Sequence, residues 1–183
     1  MPGPNAWVFD TGPIRHFALQ GWIGVLRFLA DGREVYIPDS VERELLEMAV
    51  ELPVLHSVLD ADWIKVFRST DPDYVRAFGT FFDRLVAGGK NSGECGVLAM
   101  GAVYGCEMVI DDGTPRNIAE ELGLKVTATV PVLCAAIRAK KLTTQMVESL
   151  ADDLLSGAYF LPFGPGGFRS HVLEHGLLDW EDL

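Results

Sequence analysis

Hydrophobic residues follow two alternating patterns along the chain. Short uninterrupted runs, typical of buried strands, lie at 7–9, 35–38, 63–67, 108–110 and 126–130. Between them, hydrophobic residues recur every three or four positions, as on one face of a helix. These stretches predict helices at 14–29 with a break near Gly21, and at 39–52, 74–86, 92–104, 114–123, 132–140, 144–155 and 170–175, with a loop at 88–91.

The order of these elements predicts the fold class. Strands that alternate with helices are typical of an α/β fold with a parallel sheet and helices on both faces. The chain of 183 residues has the length of one domain, and its sequence contains no internal repeat and no second hydrophobic core. We therefore expect residues 1–183 to form a single domain.

Composition narrows the class of protein. Hydrophobic residues make up 49% of the chain, which excludes a disordered protein. The net charge of −11 is the opposite of what a broad basic face for duplex DNA requires. The three cysteines are far apart and lack the spacing of a disulfide framework or a zinc site. Without a signal peptide or a hydrophobic stretch of membrane-spanning length, we expect a cytoplasmic protein with no membrane partner.

Aspartates follow two of the predicted strands directly. Asp10 ends the run 7–9, and Asp111 and Asp112 end the run 108–110. Ligands of open parallel sheets bind just beyond the carboxyl ends of the strands, so neighbouring strands would bring these side chains to one crevice. The alternative is that each aspartate only begins a turn or caps a helix.

Two glutamates lie on the hydrophobic faces of predicted helices. Glu44 shares its face with Val41 and Met48, and Glu94 shares its face with Val97 and Leu98. A carboxylate that faces inward is costly unless it is paired or binds a metal. A buried salt bridge from Glu44 to an arginine and a helix-dipole role for Glu94 are the structural alternatives.

Glu42, on the same helix as Glu44, has a simpler explanation. It lies three residues after Asp39, which is the spacing of a capping box at the start of that helix.

Four or five carboxylates in one crevice favour a hard divalent cation. Mg²⁺ and Mn²⁺ prefer oxygen ligands, and such a centre can polarise a phosphodiester and activate water. The four histidines lack an evident nucleophile partner, and no glycine-rich segment matches a phosphate-binding loop.

The acidic segments resemble those of the PIN-domain family of metal-dependent ribonucleases. The resemblance covers about residues 6–142. It rests on Val-Phe-Asp-Thr-Gly-Pro at 8–13, Ile-Pro-Asp-Ser-Val-Glu-Arg-Glu-Leu at 37–45, Ser-Gly-Glu at 92–94, Val-Ile-Asp-Asp at 109–112, Arg116, Ala-Glu-Glu-Leu-Gly at 119–123 and Val-Thr at 126–127.

The resemblance implies a three-layer α/β/α sandwich, with a core at about 6–142 and a helical extension at about 143–183. It implies a catalytic quartet formed by Asp10, Glu44, Glu94 and Asp112, in which Asp10, Glu94 and Asp112 hold Mg²⁺ or Mn²⁺. Asp111 is either the ligand in place of Asp112 or a supporting acid.

The resemblance also has implications for substrate and partners. Thr11 matches the hydroxyl residue that follows the first aspartate of the family and is expected to contact substrate, whereas Asn91 departs from an acid often found before Ser-Gly-Glu. Family members often cleave RNA, act as toxins of toxin–antitoxin pairs and form homodimers. An RNA substrate, an antitoxin partner and a homodimer are therefore expected.

The remaining basic residues and two other protein classes complete the picture. Arg15 and Arg116 follow the strand-end aspartates, and we expect them to face the crevice and either steer phosphate or offset the charge of the acidic cluster. A haloacid-dehalogenase phosphatase needs a second acid where this chain has Gly12. A catalytically silent domain that binds nucleic acid or protein is the alternative to the ribonuclease.

Overall fold

The computed structural model describes residues 1–85 and 92–183. Within them, five strands form one sheet: β1 Trp7–Phe9, β2 Val35–Pro38, β3 Ile64–Phe67, β4 Glu107–Val109 and β5 Val126–Thr127. The predicted loop at 88–91 and the predicted helix end at Val86 lie outside the described residues.

Ten α-helices surround the sheet in the described parts of the chain. They are α1 Thr11–Leu19, α2 Ile23–Ala30, α3 Asp39–Ala49, α4 His56–Leu59, α5 Pro72–Leu85, α6 Ser92–Tyr104, α7 Gly113–Glu121, α8 Thr129–Arg138, α9 Thr144–Ser156 and α10 Phe168–Glu174. Short 3₁₀ turns lie at Pro53–Leu55 and Trp180–Asp182.

The sheet is entirely parallel, and its strand order is β3-β2-β1-β4-β5. The chain builds outward from β1 to one edge and then crosses to β4 on the other side of β1. The strand order therefore reverses between β1 and β4, which is where open parallel sheets place their ligands. The expected α/β/α sandwich is confirmed.

Small residues bring α6 onto the sheet beside α3. A Cβ at Gly96 would lie 2.8 Å from the Cβ of Pro38 and would also collide with Ser40. The absence of that side chain lets the first turns of α3 and α6 approach closely. This close packing sets the positions of Glu44 on α3 and Glu94 on α6.

Two local predictions are wrong. Asp39 is the first residue of α3 rather than its cap, and Glu42 pairs with Arg68 instead of closing a capping box. The strand predicted at 126–130 ends at Thr127, because Thr129 already begins α8. The β-branched residues at 126–130 favour a strand, but the hydrogen bonds of Thr129 to Asp111 start a helix there.

The C-terminal helices pack on the same core as the sheet. Leu150 and Leu154 of α9 and Phe168 and Val172 of α10 are fully buried in the continuous hydrophobic cluster that contains β1. No helix in residues 1–85 or 92–183 is long and apolar enough to span a membrane.

Candidate functional site

A cleft of about 910 Å³ opens at the carboxyl ends of β1 and β4, between α3, α6 and the segment after α9. We call it the acidic cleft. Its walls include all the predicted acidic residues, namely Asp10, Glu44, Glu94, Asp111 and Asp112. The sheet register explains this meeting, because Phe9 pairs with Val109 and both strands end at the same level.

Asp10 is the most deeply buried acid of the cleft. It follows β1, precedes the first helical residue of α1 and is only 4% exposed. Its Oδ1 has no hydrogen-bond partner within the described residues. Burial, together with the charges of Glu94 and Glu44, raises the pKa of Asp10 well above its ordinary value, against the opposing effect of the Thr11 and Gly12 backbone.

Glu94 lies in the first turn of α6 and is half-buried. Burial raises the pKa of Glu94, and the neighbouring charges of Glu44 and Asp112 raise it further. Asp10, Glu44, Glu94 and Asp112 thus act on one another electrostatically across the acidic cleft. Two arginines also line the cleft, and a bound cation would offset this mutual repulsion further.

Glu44 is held firmly by the start of α6. One of its oxygens accepts hydrogen bonds from the Ser92 hydroxyl at 3.0 Å and the Gly93 N–H at 2.8 Å, and the other accepts from the Thr11 hydroxyl at 2.5 Å. A Cβ at Gly93 would lie 2.7 Å from Oε2 of Glu44, so glycine makes this approach possible. These three groups take the place of the salt bridge to arginine considered from sequence.

Asp111 and Asp112 are adjacent in sequence but have different surroundings. Asp111 accepts hydrogen bonds from the backbone N–H of Thr129 at 2.7 Å, the Thr129 hydroxyl at 2.6 Å and the Tyr159 hydroxyl. Asp112 caps α7 through the Thr114 N–H at 2.9 Å and is exposed to the cleft. Asp111 is thus engaged with the C-terminal part of the chain, while Asp112 acts electrostatically on Glu94.

The acids converge without forming a finished metal site. Within residues 1–85 and 92–183, no three His, Cys, Asp or Glu side chains are arranged to hold a metal ion. The donor set nevertheless fits a hard cation, since it consists of carboxylates, and one buried carboxylate oxygen of Asp10 lacks a partner among the described residues.

The three residues predicted to contact substrate are placed differently. Thr11 lines the acidic cleft, but its hydroxyl donates a hydrogen bond to Glu44. Arg15 lines the cleft and lies with its Nη1 3.1 Å from Nε2 of His16. Arg116, expected to face the same crevice, instead lies on the wall of a neighbouring cleft and pairs loosely with Glu120 at 3.9 Å.

Sequence reasoning missed the contribution of Tyr159. Its hydroxyl donates to Asp111, its ring stacks on His16 at 4.3 Å, and burial raises its pKa well above the ordinary value. The stacked His16 is buried, which together with Arg15 lowers its pKa to about 4 and keeps it neutral near pH 7. Nothing in the local pattern around Tyr159 signals this role, because its partners lie far away in the sequence.

Comparison with known proteins identifies the family. No curated protein matches the chain. A family model described as a PIN domain matches residues 6–162, which is most of the chain. PIN domains are generally nucleases that bind RNA and typically use divalent metals. The chain therefore belongs to the PIN-domain family and has a nuclease-type fold.

Proposed function

We propose that this protein is a ribonuclease that hydrolyses RNA phosphodiester bonds in the acidic cleft with the help of Mg²⁺ or Mn²⁺. The observation that carries the proposal is the buried Asp10 carboxylate. Its Oδ1 has no partner within the described residues, and its pKa is raised by burial and by Glu94 and Glu44. Buried carboxylates with strongly raised pKa values are concentrated at catalytic and binding sites.

The cation would be held by Asp10, Glu94 and Asp112. When bound, it supplies a positive charge that polarises the phosphodiester and makes the attacking water more acidic. Glu44 acts as a positioning residue, because its hydrogen bonds to Thr11, Ser92 and Gly93 fix α1, α3 and α6 around the other acids. Asp111 fixes the end of β4 against Thr129 and Tyr159 in the same way.

The reaction itself is a hydrolysis. The oxygen of water forms a new bond to phosphorus, the bond from phosphorus to one ribose oxygen breaks, and that oxygen leaves with a proton. The carboxylates of the cleft orient the water and accept its proton. Arg15, on the wall of the same cleft, contacts the phosphate and offsets part of its negative charge.

The test is cleavage of labelled single-stranded RNA with Mn²⁺, Mg²⁺ or EDTA. We expect the wild-type protein to cut RNA with either metal and to stop in EDTA. Asp10→Asn should lose the activity, whereas the matched variant Asp60→Asn, at an exposed position outside the cleft, should keep it. Equal activity of Asp10→Asn and wild type would reject the acidic cleft as the site.

A silent binding domain would give a different result. In that case the folded wild-type protein would cut no RNA with Mn²⁺ or with Mg²⁺.

The finer biological role follows from the family resemblance. We propose a cytoplasmic, homodimeric toxin that is neutralised by an antitoxin protein. Light scattering on the purified chain tests the dimer, and growth arrest on expression of wild type but not of Asp10→Asn tests the toxin.

A further inference from the structure

A second cleft of about 590 Å³ lies beside the acidic cleft. Asp111 and Phe160 line both, so the two clefts are continuous at this point. The volume of the second cleft is within the range of cavities that bind small organic groups, roughly 300–1,000 Å³.

The second cleft differs from the acidic cleft in chemistry. Its walls are mostly apolar. Its ionisable side chains are one arginine, two histidines and two carboxylates, namely Arg116, His171, His175, Asp111 and Glu120. An apolar lining with a few polar groups suits a flat heterocycle, and Arg116 supplies a positive charge for the phosphate attached to it. The loose pair of Arg116 with Glu120, at 3.9 Å, leaves the guanidinium able to contact an anion.

Phe160 lies at the junction of the two clefts with its ring in solvent. The side chain is 84% exposed, while its neighbours Tyr159 and Leu161 are 8% and 5% exposed. Tyr159 is fixed by its bond to Asp111 and its stacking on His16, so the backbone at Phe160 is anchored on both sides. A single exposed phenylalanine is ordinary on a protein surface, but one anchored between two clefts forms a ready stacking surface.

We propose that the second cleft binds a nucleobase of single-stranded RNA next to the phosphate in the acidic cleft, with Phe160 as the stacking platform. This inference rests on the proposed function, because it names the part of the substrate adjacent to the cleaved bond. Arg116 contacts the phosphate of the bound nucleotide. A base that enters the cleft must leave its helical stack, so the substrate is single-stranded at this position.

The location of the second cleft addresses an electrostatic difficulty. The protein has a net charge of −11, and the acidic cleft concentrates carboxylates where a polyanion must bind. Stacking is largely independent of charge and holds RNA near the acids without a broad basic surface. Stacking on one base, whatever its identity, also gives the nuclease a preference for unpaired regions of RNA.

The test measures binding of a short fluorescent RNA to the Asp10→Asn protein, in which the RNA stays intact. Phe160→Ala in this background should weaken binding about tenfold, the effect expected when one base–aromatic stack is lost. Phe160→Trp should bind at least as tightly as the parent. Phe28→Ala is the matched control, since Phe28 is an exposed phenylalanine on α2, and it should change nothing.

The same RNA with abasic residues separates base recognition from phosphate recognition. It should bind all four proteins with similarly weak affinity. A second readout is the NMR signals of the His171 and His175 rings, which should shift with adenosine 5′-monophosphate but much less with ribose 5-phosphate. Equal binding of intact and abasic RNA, or no effect of Phe160→Ala, would overturn the inference.

These outcomes are distinct from failure of the proposed function. If wild type never cuts RNA but Phe160 still controls binding, the ribonuclease is rejected and the base site stands. If wild type cuts RNA and Phe160→Ala matches it in Kd and KM, the base site is rejected and the ribonuclease stands. If Phe160→Ala releases a protein partner while RNA binding is unchanged, the surface belongs to that partner and the inference is wrong.

Discussion

Two pairs of carboxylates share the acidic cleft and differ in what surrounds their oxygens. Glu44 and Asp111 each accept three hydrogen bonds from hydroxyl and backbone donors. Asp10 and Glu94 instead have raised pKa values, chiefly because they are buried near other carboxylates. The oxygens of the first pair are satisfied by hydrogen bonds within the protein, and we propose that the second pair binds a ligand.

The comparison separates two roles for the acidic residues of this cleft, one structural and one catalytic. Glu44 joins three helices, and Asp111 joins the end of β4 to α8 and to the segment after α9. Their bonds position the cleft walls, so we expect their loss to affect stability and geometry. Asp10 and Glu94 destabilise the fold where they stand, so we expect their loss to affect chemistry above all.

The largest expected effect is on catalysis. Glu94→Gln should lower kcat for RNA cleavage by about 100- to 10,000-fold, because a group at the reacting centre is lost. Glu44→Gln should lower it by only about 10- to 100-fold, as for residues that support metal ligands. Steady-state kinetics in Mn²⁺ measure both values. Equal losses of kcat in Glu94→Gln and Glu44→Gln would show that the two carboxylates contribute equally to catalysis.

A substitution at Gly93 tests the support of Glu44 without touching an acid. The new methyl group of Gly93→Ala would lie 2.7 Å from Oε2 of Glu44, so either the Glu44 carboxylate must leave its hydrogen bonds or the start of α6 must move. We expect a loss of about 2–3 kcal/mol in the free energy of unfolding. The control is Gly79→Ala on α5, where a Cβ meets nothing within 4 Å and alanine favours the helix. Urea unfolding measures the free energy of unfolding of both variants. Equal values for Gly93→Ala and Gly79→Ala would mean that α6 does not need glycine at position 93.

The two pairs should change stability in opposite directions. In metal-free protein near pH 7, Asp111→Asn should cost about 1–2 kcal/mol, since it weakens bonds to Thr129 and Tyr159. Asp10→Asn should raise the melting temperature, because it removes a carboxyl group whose raised pKa makes its burial unfavourable at this pH. Each kcal/mol corresponds to roughly 2–4 °C for a chain of this size. A fall in melting temperature for Asp10→Asn would contradict the comparison.

The smallest expected effect is a change in the pH dependence of stability. The raised pKa of Asp10 means that the folded state keeps its proton at pH values where the unfolded state has lost it. Stability of the metal-free protein therefore falls as pH rises from about 4 through the folded pKa. His16 has the opposite influence, since its lowered pKa of about 4 makes stability rise with pH between about 4 and 6.5.

Subtraction separates these two influences. Wild type and Asp10→Asn share His16, so the difference between their stability curves removes the contribution of His16 and reports on Asp10 together with the carboxylates that interact with it. The stability advantage of metal-free Asp10→Asn over wild type should grow as pH rises, and saturating Mn²⁺ should reverse it by stabilising wild type more than the variant. A difference that is constant with pH would show that the pKa of Asp10 is the same in the folded and unfolded states.

Much of the fold is readable in the sequence because local patterns dictate it. The strands at 7–9 and 35–38 and the helix break near Gly21 occur where the hydrophobic pattern predicts them. The misread positions are those at which a long-range contact prevails. Thr129 begins α8, where its backbone N–H and its hydroxyl donate hydrogen bonds to Asp111. The side chain of Glu42 pairs with Arg68 instead of with the backbone at the start of α3.

The acids of the cleft were readable in part for the same reason. Asp10 and Asp112 follow hydrophobic runs, and Glu44 and Glu94 lie on hydrophobic faces, so each deviates from a local rule. Tyr159 and Phe160 deviate from none. Their roles depend on a turn after α9 that sends one ring into the acidic cleft and leaves the other at its edge.

The sequence by itself determined the α/β class, the order of the elements and the acidic residues, because hydrophobic periodicity and inward carboxylates are local properties. Only the tertiary structure decided which carboxylates are satisfied and which are not. Hydrogen bonds such as Gly93 to Glu44 and Tyr159 to Asp111 join residues 49 and 48 positions apart. Their energy depends on packing that brings these segments together, and no local pattern along the chain encodes that distance.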